Sequence, residues 1–190
     1  MRAFLQALDV HVPGEADHAE RVAVYAVATG HEMGLSGNEL SDLRRAATLH
    51  DVGKLSLDAD LLTRLGDLTD EDFAELRRHA ELSEELIGEL DGADRLIPMI
   101  AAHHERFGGG GYPRGLVGTE IPLGARIIAV AEAWDVLTQE GGYRTMIGRP
   151  LATLILQEEA GKQFDPAVVT AFLRVEPLIQ PLRLRLSPEP

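Results

Sequence analysis

The sequence predicts an all-α protein, and three observations carry that expectation. Small and apolar residues recur at helical spacing in most segments, and helix-capping patterns precede several of them. Clusters of β-branched residues such as Ile127-Ile128-Ala129-Val130 sit inside that helical period, so strand evidence is thin. In order, Ala19, Val22, Ala23 and Ala26 mark a helix over about 16–33 that ends near Gly34. Ser36 followed by Glu39 is a capping box that opens a helix through Leu40, Leu43 and Ala47 to His50, where Gly53 offers an exit. Thr69 caps an acidic first turn (Asp70, Glu71, Asp72) and starts a helix running through Phe73 and Leu76 to His79 or beyond. Further helices cover about 95–105 and 123–138. Asp165-Pro166 places an N-cap before a proline at the first helical position, beginning a helix through Phe172.

The chain of 190 residues fits one domain with a substantial core, and an apolar content of 45% argues against disorder. The expected layout is a lead-in over 1–14, a helical domain over 15–174 and a loosely packed, proline-containing tail over 175–190. A formal charge of −13 disfavours general attraction to DNA, RNA or an anionic membrane. Any phosphate-bearing substrate therefore needs local positive charge or metal ions. The chain has no cysteine, which excludes disulfides and thiolate metal sites. No window approaches the ~20 apolar residues of a membrane span, and the first residues lack the apolar core of a secretory signal. The expected location is cytoplasmic.

The most informative stretch is 103–126, where two adjacent histidines precede a run of four glycines and Tyr112-Pro113. Glycines order at an entropic cost and bring no side-chain packing, so beside a histidine pair they suggest close approach to a ligand. The helices offer His18, His50 with Asp51, His79, and His103 with His104 to one pocket, with Glu132 and Asp135 on the helix that follows. Bundles build metal sites in this way. Taken singly, each histidine is as readily an ordinary hydrogen-bonded residue, and His11 and His31 are read so. His50 and Asp51 stand out because they directly precede Gly53-Lys54, a turn that lets both face one point beside an ammonium. A carboxylate there can bridge two cations, and nitrogen and oxygen donors suit several first-row ions.

These pieces resemble an HD-GYP domain, the branch of the HD phosphohydrolases that hydrolyses the bacterial messenger cyclic di-GMP. The matching segments run in the family's order: His18-Ala19-Glu20-Arg21-Val22, His50-Asp51-Val52-Gly53-Lys54, and Leu68-Thr69-Asp70 leading to His79. They continue with His103-His104-Glu105-Arg106, Gly109-Gly110-Gly111-Tyr112-Pro113 with Gly115-Leu116, Ile121-Pro122, Ala125-Arg126-Ile127 and Gln163-Phe164-Asp165-Pro166. The resemblance covers about 15–173. It implies an HD-type helical bundle with a glycine-rich GYP loop.

It also implies a ligand set of His18, His50, Asp51, His79, His103, His104 and Glu132 for two divalent metals, with Asp51 bridging. Iron or manganese is expected first, and zinc, magnesium, nickel or cobalt is compatible. Water activated between the cations would attack a phosphodiester, with Asp51 and Lys54 as catalytic residues and Lys54 stabilising phosphoryl charge. Gly109, Gly111 and Tyr112, helped by Arg114 and Arg144, would hold cyclic di-GMP, giving pGpG or GMP. Signalling proteins such as a diguanylate cyclase or a response regulator are compatible partners.

The chain departs from the family pattern at the site. Val-Ala-Asp reads Val130-Ala131-Glu132, where the longer glutamate either ligates from a shifted position or serves only as an ion-pair partner. The loop's first Asp is Gly108, and Asp-Arg-Pro-Tyr-Arg reads Glu140-Gly141-Gly142-Tyr143-Arg144, which loses an arginine suited to phosphate. A glutamate that holds a third metal in some members falls at Gly14, with Glu15 one position off. Two other readings stay open: a non-catalytic HD-GYP module that binds a nucleotide or a partner protein, and a phosphohydrolase of another nucleotide.

Overall fold

The computed structural model describes residues 1–64, 67–139 and 147–186, with side chains described as far as 179. The described residues form ten α-helices and no strand. Helix α1 spans Arg2–His11, α2 Glu15–Glu32, α3 Gly37–Leu49, α4 Ala59–Thr63 and α5 Asp70–Arg77. Helix α6 spans His79–Ile87, α7 Ala93–Ala101, α8 Leu123–Thr138, α9 Arg149–Glu158 and α10 Pro166–Leu186. Short 3-10 turns occupy Val52–Ser56 and Gly118–Glu120.

The caps read from the sequence are in place. Ser36 N donates to Glu39 Oε2 at 2.8 Å and starts α3. Thr69 and Asp72 form the reciprocal pair that starts α5. Asp165 Oδ1 accepts from Ala167 N at 2.8 Å and starts α10.

Helices α2, α3 and α8 form the centre, with α10 across α2 and α8. Alanines make this possible: Ala19, Ala23 and Ala26 of α2 and Ala46 and Ala47 of α3 are buried, so the backbones approach closely. Trp134 of α8 and Tyr25 of α2 meet Phe172 of α10 with ring centroids 5.3 and 5.8 Å apart. Truncating Phe172 in this aromatic cluster to Ala would cost about 3–5 kcal/mol.

Two regions differ from expectation. The lead-in contains a helix: Leu8 of α1 is buried, and His11 Nε2 donates to Leu57 O at 2.9 Å, tying α1 to the turn after Asp51. The expected loose tail is helical through Leu186, so no break falls at 174/175. Phe172, Glu176 and Ile179 are buried at helical spacing, and Arg149 of α9 pairs with Glu176. That packing outweighs the helix-breaking tendency of Pro177 and Pro181. No helix among the described residues is long and apolar enough to cross a membrane.

Candidate metal centre and cleft

Helices α2, α3, α6, α7 and α8 and the turn after α3 deliver the polar groups to one point. His50 caps the C-terminus of α3, and Asp51 is the first residue of the turn that leads into Val52–Ser56. Gly53 lets this turn lie directly on α6: a Cβ there would overlap the carbonyl oxygen of His79 and come within 2.6 Å of Ser83 N. Ser83 secures the contact, accepting from Gly53 N at 2.9 Å and donating to His79 O at 2.8 Å. His79 opens α6, and His103 and His104 lie just past the end of α7. His18 comes from α2 and Glu132 from α8.

The ligating atoms form three overlapping groups, each within 4.8 Å: His18, His50 and Asp51; Asp51, His79, His103 and His104; and His50, His103 and Glu132. Asp51 belongs to the first two. The structure thus brings together all seven residues expected as ligands.

Their local bonds suit cation binding. Nδ1 of His50, His79 and His103 donates to the carbonyl oxygens of Ala47, Leu76 and Ile100 at 2.8, 2.6 and 2.5 Å. A carbonyl cannot donate, so Nδ1 carries a proton and Nε2 is the nitrogen turned toward a cation. His18 Nδ1 meets Asp135 Oδ2 at 2.8 Å, and Arg21 braces the same carboxylate through Nε and a terminal nitrogen, both at 2.7 Å. Asp51 Oδ1 and the Nε2 atoms of His50 and His103 are buried without a well-formed hydrogen bond, although His50 Nε2 lies 3.2 Å from Asp51 Oδ2 and His79 Nε2 3.3 Å from Asp51 Oδ1. Buried polar atoms left so are costly, and cations held by these groups would satisfy them. His104 Nε2 lies 3.0 Å from His79 Nε2, a contact that a cation would replace. Divalent cations fit this donor set.

Electrostatics agree. Burial would raise Asp51, but Lys54 and His50 outweigh it and hold the carboxylate well below its usual range. Burial opposes charge on His50, yet the Asp51 carboxylate wins and lifts the imidazole to about 9. Burial keeps His79 low and His103 well below its usual value, and takes His104 down to about 3. Burial and then the Asp51 charge raise Glu132, while His50 partly offsets them. Lys54 Nζ lies 2.7 Å from Asp51 Oδ2 and 3.0 Å from Glu15 Oε1, so the ammonium sits between two carboxylates at the edge of the cluster.

Beside the histidines opens a cleft of about 520 Å³, with Tyr112, Gly110, Gly111, Glu132, Arg77 and Phe164 among its walls. Tyr112 stacks on His104 with ring centroids 4.8 Å apart. Burial raises its phenol above the ordinary value, so the ring enters the cleft neutral. Glu105, itself buried, shapes the loop by accepting from Arg114 N at 2.7 Å and Leu116 N at 3.1 Å. At Gly111 a Cβ would overlap Arg106 N and come within 2.5 Å of Glu105 Cα, so only glycine fits.

The HD domain family pattern matches residues 2–168. The chain belongs to the HD domain family.

Among curated relatives of this HD domain, it is 37% identical over 169 residues to a 3′3′-cGAMP-specific phosphodiesterase of Vibrio cholerae, covering 89% of this chain and 37% of the relative. It is 35% identical over 174 residues to a cyclic di-GMP phosphodiesterase response regulator of Xanthomonas campestris, covering 89% of this chain and 45% of that protein. The chain therefore spans less than half the length of these relatives. Among solved structures, an HD-GYP-type protein of Bdellovibrio bacteriovorus superposes with a TM-score of 0.67 at 20% identity, covering 85% of this chain and 52% of the other. A cyclic GMP-AMP-specific phosphodiesterase of Vibrio cholerae gives a TM-score of 0.68 at 20% identity, covering 93% and 48%. At that identity the two structures speak for the fold.

Several expected substrate contacts of this HD domain fall elsewhere. Arg114 does not line the cleft; its guanidinium bonds Glu84 Oε1 at 2.8 Å, because Glu105 holds the Arg114 backbone with the side chain facing α6. Gly109 also lies outside the cleft wall, in a turn where its N donates to Arg106 O at 2.7 Å. Arg144 and Gly141 lie outside the described residues. The sequence reading missed the Glu15–Lys54 pair, the Asp135–Arg21 brace of His18, Ser83 and the anchoring role of Glu105. Arg21 and Glu105 were visible inside segments shared with the family, but no local pattern marks Ser83 or Glu15.

Proposed function

We propose that this chain is the catalytic domain of a metal-dependent cyclic dinucleotide phosphodiesterase, hydrolysing cyclic di-GMP to pGpG or GMP at a centre of two divalent cations, iron or manganese foremost. The observation that carries this reading is the sharing of Asp51 between two separate groups of ligating atoms. His18 and His50 would hold one cation with Asp51, and His79, His103 and His104 the other, with Glu132 completing the set beside His50 and His103. Bound there, the cations supply an activated water and neutralise phosphoryl charge during in-line displacement.

The chain's own residues prepare that step. Backbone carbonyls turn the Nε2 atoms of His50, His79 and His103 toward the centre, and Asp51 stays ionised to hold positive charge. Lys54 adds a fixed cation beside the reacting phosphate, and the phosphate's approach would draw it away from Glu15. Tyr112 stands in the cleft wall beside the centre, and the glycine backbone would admit the nucleotide closely. The names of the curated relatives support the substrate class.

A second substrate has its own support: a relative 37% identical is specific for 3′3′-cGAMP. Both are tested by incubating manganese- or iron(II)-loaded protein with each cyclic dinucleotide and separating the products by chromatography. Turnover of cyclic di-GMP that vanishes in Asp51→Ala is the expected result. Turnover of 3′3′-cGAMP alone transfers the reading to that substrate. Binding without turnover would replace the enzyme with a receptor module.

A further inference from the structure

Arg77 ends α5, two residues before His79, and its guanidinium lies 5.4 Å from the centroid of the Tyr112 ring. Tyr112 in turn stacks on His104. A planar cation thus stands at the cleft wall one aromatic ring removed from the histidine cluster. The other cleft arginine, Arg106, is engaged by Gln163 Oε1 at 2.9 Å and Glu159 Oε2 at 3.3 Å. Among the described residues no carboxylate or hydrogen-bond acceptor engages the Arg77 guanidinium, whose one partner there is the ring face of Tyr112. The carboxylates on the same wall are committed: Glu105 to backbone N–H groups, and Glu132 to the ligand groups.

Resting on the phosphodiesterase reading, we propose that Arg77 is the specificity-determining cation that receives the second, non-scissile phosphate of a cyclic dinucleotide. One phosphate at the histidine centre leaves the other on the far side of the sugar–phosphate ring, in a chain whose net charge is −13. A guanidinium matches a phosphate bidentately and needs no deprotonation control. The Arg77 Cζ lies over the Tyr112 ring, 5.4 Å from its centroid, a cation–π contact that uses none of the guanidinium N–H groups. The sequence has glycine at position 141, where the resembled family pattern carries an arginine suited to phosphate, so a cation from α5 would supply charge that this substitution removes. Arg77 would thereby select diesters with two phosphates over mononucleotides.

The test is equilibrium binding to manganese-loaded protein of two probes, a hydrolysis-resistant phosphorothioate analogue of cyclic di-GMP and GMP. GMP carries the guanine and one phosphate but no second phosphate. The expected result is that Arg77→Ala weakens the cyclic analogue about 10-fold or more, that Arg77→Lys recovers part of the loss, and that GMP affinity changes less than about 2-fold. An unchanged affinity for the cyclic analogue overturns the assignment. An equal loss for both probes also overturns it, because Arg77 then reads guanine or merely supports the cleft. Selective loss in a protein that fails to hydrolyse cyclic di-GMP sinks the enzyme reading and leaves the Arg77 assignment standing.

Discussion

Asp135 and His18 are 117 residues apart in sequence, and their side chains meet at 2.8 Å in the folded chain. Arg21, one helical turn beyond His18, grips both oxygens of the same carboxylate. The buried anion fixes the proton on His18 Nδ1 and turns the other nitrogen toward His50 and Asp51. Burial alone would raise Asp135, but His18 and Arg21 bring it below the ordinary carboxylate value, so it stays charged at neutral pH.

Replacing Asp135 with Asn removes that charge and frees the ring. Affinity for the cation held by His18 should fall about 10–100-fold, with the helical content unchanged. Manganese titration followed by elemental analysis measures this. An unaltered affinity would mean that the brace contributes only to packing.

Glu105 is the corresponding support for the loop. In Glu105→Ala the backbone N–H groups of Arg114 and Leu116 lose their acceptor, at a cost of about 1–3 kcal/mol. Urea unfolding should show the loss, and cyclic dinucleotide binding should weaken with it as Tyr112 shifts.

Gly111→Ala tests close backbone approach. The new methyl would collide with the Glu105–Arg106 backbone, which cannot move aside as a flexible side chain would. Stability should drop about 1–3 kcal/mol and the cleft should deform. A variant as stable as the parent, with normal binding, would show that the loop relaxes freely.

The helical class and the residues that cluster at the candidate centre were legible because their signals are local. The Ser36–Glu39 box, the acidic turn after Thr69 and Asp165-Pro166 each name a helix start within a few residues. The histidines were legible through the segments around them. The braces were not, since Glu15 with Lys54 and Asp135 with His18 become neighbours only when α2 packs against α8 and the turn after α3. Helix α10 beyond Val175 was hidden for a related reason: its prolines argue locally for a break, while buried Glu176 and Ile179 gain partners only from the tertiary packing. Arg114, expected as a helper for the substrate, pairs instead with Glu84, a contact between a loop and α6 that no local pattern announces.

Metal loading should also depend on pH in a defined direction. Without metal, His50 is protonated below about 9, whereas burial leaves His79, His103 and His104 neutral at pH 7. A cation must displace the His50 proton, so affinity should rise with pH up to about 9 and then level off. Calorimetry of manganese binding at pH 7 in buffers of different ionisation enthalpy should report release of about one proton. Release of none would place His50 outside the centre or neutral before metal arrives.

In the proposed centre Asp51 joins two cation sites into one. Counting manganese or iron per chain in the loaded protein and in Asp51→Ala tests it most directly, using elemental analysis after gel filtration. Two ions in the parent, with both lost or greatly weakened in the variant, is the predicted result. A single ion in the parent, or full retention of both in Asp51→Ala, would contradict it.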